Sequence, residues 1–134
     1  MNVLFLLTPK QEVAYLYSDC TLRQALEKME YHRYACIPVI DRDGTYAGTI
    51  TEGDLLWDIK KRLPAAADDF DAVPIKSIAR RSDYKAVCVT TTIDELLETA
   101  LNENFVPVVD DRGVFIGIVT RKRIMQHCFD QLSK

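Results

Sequence analysis

Residues 37–51 read IPVIDRDGTYAGTIT, and residues 106–120 read VPVVDDRGVFIGIVT. When Pro38 to Thr51 is aligned with Pro107 to Thr120, 6 of the 14 positions are identical, and most of the others keep their polarity. An internal repeat of this kind indicates that one supersecondary unit occurs twice, and that each copy needs its neighbour to bury its apolar face.

The repeat extends upstream of these stretches, where the alignment of the two copies shifts. Thr21 and Leu22 then match Thr92 and Ile93, so the first copy holds two extra residues near positions 31–34. In each copy a short apolar segment precedes an amphipathic helix, which begins with the Thr-x-x-Gln or Thr-x-x-Glu pattern of a capping box. Two strands and a second helix follow. The sequence therefore predicts a mixed α/β (α+β) fold in which a β-α-β-β-α repeat occurs twice.

Glycine and proline mark special positions in the predicted strands. Gly44 and Gly113 fall in the turns between the two strands of each copy, where a left-handed backbone conformation favours glycine. Pro38 and Pro107 recur inside strands, although proline cannot donate to a strand ladder. We therefore expect the strand to leave its ladder at each proline and to free main-chain groups there.

The two copies also set the expected domain boundaries. The first repeat with its lead-in covers residues 1–62, a solvated linker covers 63–73, and the second repeat covers 74–134. A unit of about 60 residues buries little apolar surface by itself. We expect the repeats to pack about a pseudo-twofold axis, which would leave two related clefts at their seam as the default location for ligands.

Composition and charge argue against several functional classes. With 17 basic and 20 acidic residues the net charge is −3, which argues against a nucleic-acid partner. The apolar run at residues 3–7 is too short to span a membrane or serve as a signal peptide, so we expect a cytoplasmic protein. The cysteines and histidines show no metal-ligand spacing. No nucleophile elbow, phosphate loop or catalytic carboxylate pair occurs, and we predict neither catalytic residues nor an enzyme.

The repeated pattern P-V-[IV]-D-x-x-G-x-x-x-G-x-[IV]-T, placed after a helix, resembles the CBS domain, and two copies in tandem resemble a Bateman module. Residues 7–9 and 74–78 are similar to the short lead-ins that precede CBS repeats. The resemblance implies a regulatory protein that binds an adenine nucleotide in its interdomain clefts. The implied ligands are AMP, ADP, ATP or cyclic di-AMP, with no obligatory cofactor. It also implies a homodimer, and regulation of an unidentified protein partner.

One motif of the first copy, Gly48 to Asp54, matches the family pattern G-h-x-T-x-x-D. The resemblance implies that Thr51 lies near ligand phosphate or ribose and that Asp54 accepts hydrogen bonds from the ribose hydroxyls. A carboxylate has two acceptor oxygens and suits a vicinal diol. The alternative is structural, because Thr-x-x-Asp is also close to a capping box at a helix start.

The second copy departs from this pattern, because Arg123 stands where the first copy has its aspartate. Cations at a helix N-terminus oppose the helix dipole, and a bound anion would remove that conflict. We therefore predict that Thr120, Arg121 and Arg123 help to hold phosphates. The alternative is a solvated basic turn.

The adenine base needs a flat, apolar slot beside main-chain groups. By resemblance this slot lies against the first strand and the strand before the turn of each copy. The alternative for every such position is ordinary core packing. The matching residues are Val13, Ala14, Tyr15, Cys36, Ile37 and Pro38 in the first copy, and Lys85, Ala86, Val87, Phe105, Val106 and Pro107 in the second.

Two rival functions remain. One is a ligand-free dimerisation or interaction scaffold whose clefts are filled by side chains. The other is an enzyme that acts on nucleotides, which would need a general base or metal that the sequence does not display.

Overall fold

The computed structural model describes residues 2–63, 67–80 and 84–133. Positions 64–66 of the expected linker lie outside the described residues. The predicted β-α-β-β-α order is confirmed in both copies. In the first copy the elements are β2 (Leu16–Tyr17), α1 (Leu22–His32), β3 (Cys36–Ile40), β4 (Tyr46–Thr51) and α2 (Glu52–Arg62); in the second they are β5 (Val87–Cys88), α3 (Ile93–Ala100), β6 (Phe105–Val109), β7 (Phe115–Thr120) and α4 (Arg121–Leu132), and a short strand β1 (Thr8–Pro9) precedes them all.

The strands form two sheets, one built on each copy. The first sheet has the order β2-β3-β4, and the second has the order β1-β7-β6-β5. In each copy the strand before the helix runs parallel to the strand after it, because the helix carries the chain back to the same end of the sheet. Strands β6 and β7 then form an antiparallel hairpin.

Local signals at helix starts and turns are confirmed. The Thr21 hydroxyl accepts a hydrogen bond from the main-chain N–H of Gln24, and the Gln24 side chain accepts one from the Thr21 N–H, at 3.2 and 2.9 Å. Thr92 and Glu95 form the same capping box. Gly44 and Gly113 have φ angles of 95° and 81°, in the left-handed region that favours glycine.

The expectation that the strands leave their ladders at the prolines is wrong for Pro107. This residue stays in the antiparallel ladder opposite Ile118. The missing N–H is tolerated because the parallel partner β5 pairs only from Val108 onward. In the first copy the parallel pairing likewise starts one residue after Pro38, at Val39.

The described chain divides into two compact units, which differ from the sequence repeats in their lead-ins. The first-repeat unit contains residues 14–43, 47–63 and 67–80, and the second-repeat unit contains residues 2–13, 44–46 and 84–133. The lead-in of the first repeat thus packs with the second, since Val3 and Leu6 are buried among Leu96, Val106 and Val119. Val73, at the end of the expected linker, and Ile75 and Ile78 after it belong to the core of the first-repeat unit, so Val73 is buried and not solvated.

A close approach of backbones fixes the N-terminal lead-in. Strand β1 pairs antiparallel with β7, with Pro9 opposite Gly117. A Cβ atom on Gly117 would lie 2.2 Å from the carbonyl oxygen of Thr8, and its φ of +155° lies at the limit of the region that favours glycine. Only a glycine fits here without displacing β1.

Within the described ranges, none of the helices combines the length and apolar character needed to cross a bilayer.

Candidate ligand-binding site

The structure brings Thr51 and Asp54 together at the start of α2. The Thr51 N–H donates to Oδ2 of Asp54 at 3.0 Å, and the Asp54 N–H donates to the Thr51 hydroxyl at 3.1 Å. This is the capping box that the sequence offered as the structural alternative. Only 6% of the Asp54 surface is exposed. The carboxylate is therefore held in one orientation by its own helix.

The two arginines in the basic stretch at the start of α4 have different surroundings. The Thr120 hydroxyl accepts a hydrogen bond from the Arg123 N–H at 3.1 Å, and the Arg121 N–H donates to the carbonyl of Asn104. The Arg121 guanidinium donates to the carbonyl oxygens of Ala100 and Leu101, at 3.1 and 3.4 Å. Arg121 thus caps the C-terminus of α3, whereas the Arg123 side chain is exposed.

The predicted residues of β3 and β6 are packed into the two cores. Ile37 and Val106 are fully buried, and Cys36 and Phe105 are exposed by 8% and 5%. Their side chains therefore contribute to packing. In the remaining set, Val13 belongs to the second-repeat unit, while Ala14 and Tyr15 are half-buried in the first-repeat unit.

The second-repeat unit carries a groove beside its edge strand β5. Its volume is about 680 Å³, within the range usual for small-molecule sites. Three predicted residues, Lys85, Ala86 and Val87, form one wall, and side chains of α3 form the other. The groove is completed by Cys88, Thr90, Thr91, Thr92, Glu95, Glu98 and Thr99.

Hydrogen bonds lower the pKa of two titratable groups in this groove. The main-chain N–H and the hydroxyl of Thr90 lower the pKa of the Cys88 thiol below its ordinary value. The Thr91 hydroxyl, at 2.8 Å, and the Thr92 N–H lower the pKa of Glu95. The groove therefore presents a carboxylate fixed by its own loop, a thiol with increased thiolate character and, at Lys85, a cation.

Sequence reasoning missed the α3 side of this groove. Glu98 and Thr99 stand on the amphipathic helix of the second copy, for which the family resemblance implies no ligand contact. A signal was present in the repeat: when Thr21 is aligned with Thr92, Tyr15 of the first copy matches Ala86 of the second. Loss of an aromatic ring at a repeated position indicates space in the second copy.

Two β-α-β-β-α repeats, one of which has a polar groove beside its edge strand, define a duplicated α/β module. A family model described as the CBS domain matches residues 6–61 and 75–130. The chain therefore belongs to the CBS domain family and contains two CBS domains, as the sequence resemblance predicted.

Solved structures share the fold over nearly the whole chain. A CBS domain protein from Streptococcus pneumoniae TIGR4 is 27% identical, with a TM-score of 0.86 over 97% of this chain and 88% of that one. CBSX2, solved in complex with AMP, is 26% identical, with a TM-score of 0.75 over 99% and 98% of the two chains. CbpB from Listeria monocytogenes, solved in complex with c-di-AMP, is 20% identical with a TM-score of 0.83 over 98% and 97%, which shows the fold alone.

A curated relative is an enzyme of much greater length. Homoserine O-acetyltransferase from Methanohalophilus mahii is 26% identical over 115 residues, which are 85% of this chain and 22% of that protein. The chain thus spans about a fifth of the length of this relative.

Proposed function

We propose that the chain is a non-enzymatic regulatory module that binds an adenine nucleotide. The observation that carries this proposal is the likeness to CBSX2, a protein solved with AMP, at 26% identity over 99% of this chain. The two CBS domains agree with it.

The groove of the second-repeat unit supports this proposal. Strand β5 lies at the edge of its sheet, so the main chain of residues 85–87 borders the groove at the outer side of that sheet. Main-chain N–H and C=O groups there suit the edge of a purine, and the side chain of Lys85 supplies a positive charge for phosphate. We propose that the base lies along Ala86 and Val87.

We also retain roles for the residues at the starts of α2 and α4. Gly48 to Asp54 matches the family pattern G-h-x-T-x-x-D, and a carboxylate suits a vicinal diol; for the first copy we therefore propose that Asp54 accepts from ribose hydroxyls, beside Thr51. For phosphate we propose the exposed Arg123 with Thr120. Arg121 contributes less, because its guanidinium already donates to α3.

A thermal-shift and calorimetry panel tests the function. It contains AMP, ADP, ATP, S-adenosylmethionine and cyclic di-AMP, each at rising concentration. A ligand at 100 times its Kd stabilises the folded state by about 2.7 kcal/mol, which raises the Tm by several degrees. A Tm that stays constant across the panel refutes nucleotide binding and favours the scaffold. ATP that remains intact after long incubation supports the non-enzymatic interpretation.

Matched variants test the roles of individual residues. Asp54→Asn keeps a side-chain oxygen for the cap but removes the charge, so we expect weaker binding of adenosine and AMP alike at the first copy. Arg123→Ala should weaken ATP more than AMP and leave adenosine unchanged, with Lys122→Ala as the control. Equal losses for adenosine and ATP would contradict the role proposed for Arg123.

The scaffold alternative rests on exposed apolar side chains of α2 and α4. Trp57 and Leu56 are each 58% exposed, and Met125 and Phe129 are 64% and 66% exposed. We propose that these faces serve a cytoplasmic homodimer, whatever the ligand. Light scattering of the wild type and of a Trp57→Gln, Phe129→Gln variant tests it: a wild type that is monomeric at high concentration refutes the dimer.

A further inference from the structure

The two copies can be compared residue by residue along their first strands. Leu16 pairs with Val39, and Val87 pairs with Val108, in the same parallel register. The capping boxes that follow, at Thr21 and Thr92, keep the same spacing from these strands. Positions that the repeat aligns in the first strand and first helix are therefore structurally equivalent.

In the first copy this edge is filled by a cluster of aromatic and charged side chains. The rings of Tyr15 and Tyr17 meet edge to face at 5.7 Å. The ammonium of Lys28 lies 5.5 Å from the Tyr15 ring, and the guanidinium of Arg42 lies 4.0 Å from the Tyr17 ring. These distances are typical of cation–π contacts. We call these four residues the tyrosine cluster.

A fifth residue fixes the cluster in place. Asp19 receives two hydrogen bonds from the Arg42 guanidinium, at 2.8 and 3.1 Å. A bidentate pair holds the guanidinium plane more firmly than a single contact would. The Tyr17 side chain also shares a hydrogen bond with Tyr15, which raises the pKa of Tyr15. The tyrosine cluster is thus assembled from contacts within the first-repeat unit alone.

The equivalent positions of the second copy have lost every member of this arrangement. Each residue there is smaller or of opposite charge, and four of the five line the groove described above. Where the first copy has two aromatic rings and two cations, the second has open volume. The replacements are Ala86 for Tyr15, Cys88 for Tyr17, Thr90 for Asp19, Thr99 for Lys28 and Asp111 for Arg42.

We infer that the tyrosine cluster closes the first copy's site with the protein's own side chains, so that each chain binds one nucleotide, in the groove beside β5. This inference rests on the proposed function and adds its stoichiometry and location. It assigns Tyr15 to closing a site, whereas the sequence motif placed it against the ligand. Because Asp54 belongs to the first-repeat unit, its ribose contact is then confined to the second binding event that Tyr15→Ala with Tyr17→Ala opens.

Calorimetry with AMP, and with whichever nucleotide of the panel gives the largest thermal shift, tests the stoichiometry. We expect one nucleotide per chain. Ala86→Tyr with Cys88→Tyr restores the rings in the second copy and should lower the affinity about tenfold or more by steric exclusion. Gln11→Tyr adds a ring at an exposed position of the same unit, outside the groove, and should leave the affinity unchanged. Tyr15→Ala with Tyr17→Ala opens the first copy and should allow a second, weaker binding event.

Alkylation of the wild-type cysteines provides a test that needs no substitution. Cys88 lines the groove, so a saturating nucleotide should slow its modification by iodoacetamide about fivefold or more, as measured by mass spectrometry of the peptides. Cys20 in the first copy, whose thiol pKa is raised to about 11 by burial, and Cys128 on α4 should show no change.

The outcomes separate the two proposals. A wild type that binds no nucleotide refutes the proposed function together with the inference. Two nucleotides per chain, or one nucleotide with Cys88 unprotected, overturns the inference and leaves the function standing. Protection of Cys88 at one nucleotide per chain supports both, even if the doubly substituted variants fail to fold.

Discussion

The edges of β2 and β5 have the same parallel strand pairing, but aromatic side chains occupy the edge at β2, whereas a groove lies beside β5. At β2 the two tyrosine rings pack against each other, and the Arg42 guanidinium lies over the Tyr17 ring and is paired with Asp19. At β5 small residues leave a groove of about 680 Å³. The capping threonines, the turn glycines and the register of the parallel strand pair are the same in both copies, so at these two edges the difference lies in side chains that the framework does not need.

Substitution of Gly117 should cause the largest loss of stability, because it disturbs the pairing of β1 with β7 in the second-repeat unit. Gly117→Ala places a methyl group 2.2 Å from the Thr8 carbonyl, so β1 must move and expose the buried Val3 and Leu6. We expect a loss of about 3 kcal/mol in the free energy of unfolding, measured by urea denaturation. Gly53→Ala in α2, where the nearest atom would be 3.7 Å away, is the control and should be neutral or stabilising. A free energy of unfolding that is the same in Gly117→Ala as in the wild type would show that the pairing of β1 does not contribute to stability.

The first helices of the two copies end differently. Helix α1 has 11 residues and ends at Arg33 in a left-handed conformation, whereas α3 has 8 and has its last carbonyls bound by Arg121. Arg121→Ala should therefore cost about 1–2 kcal/mol, because hydrogen bonds from a charged group are lost. Amide exchange should rise in α3 and not in α1. Equal exchange in both helices would contradict the capping role.

The reverse effect is expected at the end of α1. Arg33 is the one residue other than glycine with a positive φ in the described part of the chain, at 58°. A left-handed conformation costs a residue with a Cβ about 1–2 kcal/mol. Arg33→Gly should therefore stabilise the protein, by about 0.5–1 kcal/mol once the entropy of the unfolded chain is included. A lower thermal midpoint for this variant would show that the Arg33 side chain makes a contact of its own.

Acidification should lower the stability of the two copies through different carboxylates. Hydrogen bonds lower the pKa of Asp110, from the N–H groups of Val114 and Arg112, and the Arg42 guanidinium lowers the pKa of Asp19. A lowered pKa contributes stability that is present above the unfolded value, near pH 4, and is lost as the pH falls through the folded value. Urea midpoints should fall slightly between about pH 5 and pH 3, and fall less in Asp110→Asn. If the urea midpoint of Asp110→Asn falls as much as that of the wild type, the Asp110 carboxylate does not contribute to the acid sensitivity.

Features set by near neighbours in sequence could be predicted, and contacts between distant side chains could not. The capping boxes at Thr21 and Thr92 and the turns at Gly44 and Gly113 depend on three or four consecutive residues, so the sequence contained the whole cause. Arg121 was predicted to face a phosphate, yet it donates to the end of α3, 20 residues earlier. The shorter α3 was visible in the alignment of the two copies, but the side chain that caps it was not.

The candidate site divides in the same way. The main-chain wall at Lys85 to Val87 came from its position in the repeat, whereas the wall from α3 depends on how a helix faces a strand. The packing of Tyr15 depends on Lys28 and that of Tyr17 on Arg42, and these two cations come from a helix and a turn later in the chain. The exchange of lead-ins was equally hidden, because a repeat shows which segments are alike and not which of them pack together.

That exchange has a consequence for the order in which the protein is made. Val3 and Leu6 leave the ribosome before the apolar residues that cover them, which lie between positions 96 and 124. This segment therefore stays uncovered until those residues have been synthesised, and the second-repeat unit cannot complete its core before then. A ribosome stalled at the linker would hold a chain whose N-terminal apolar residues still face water.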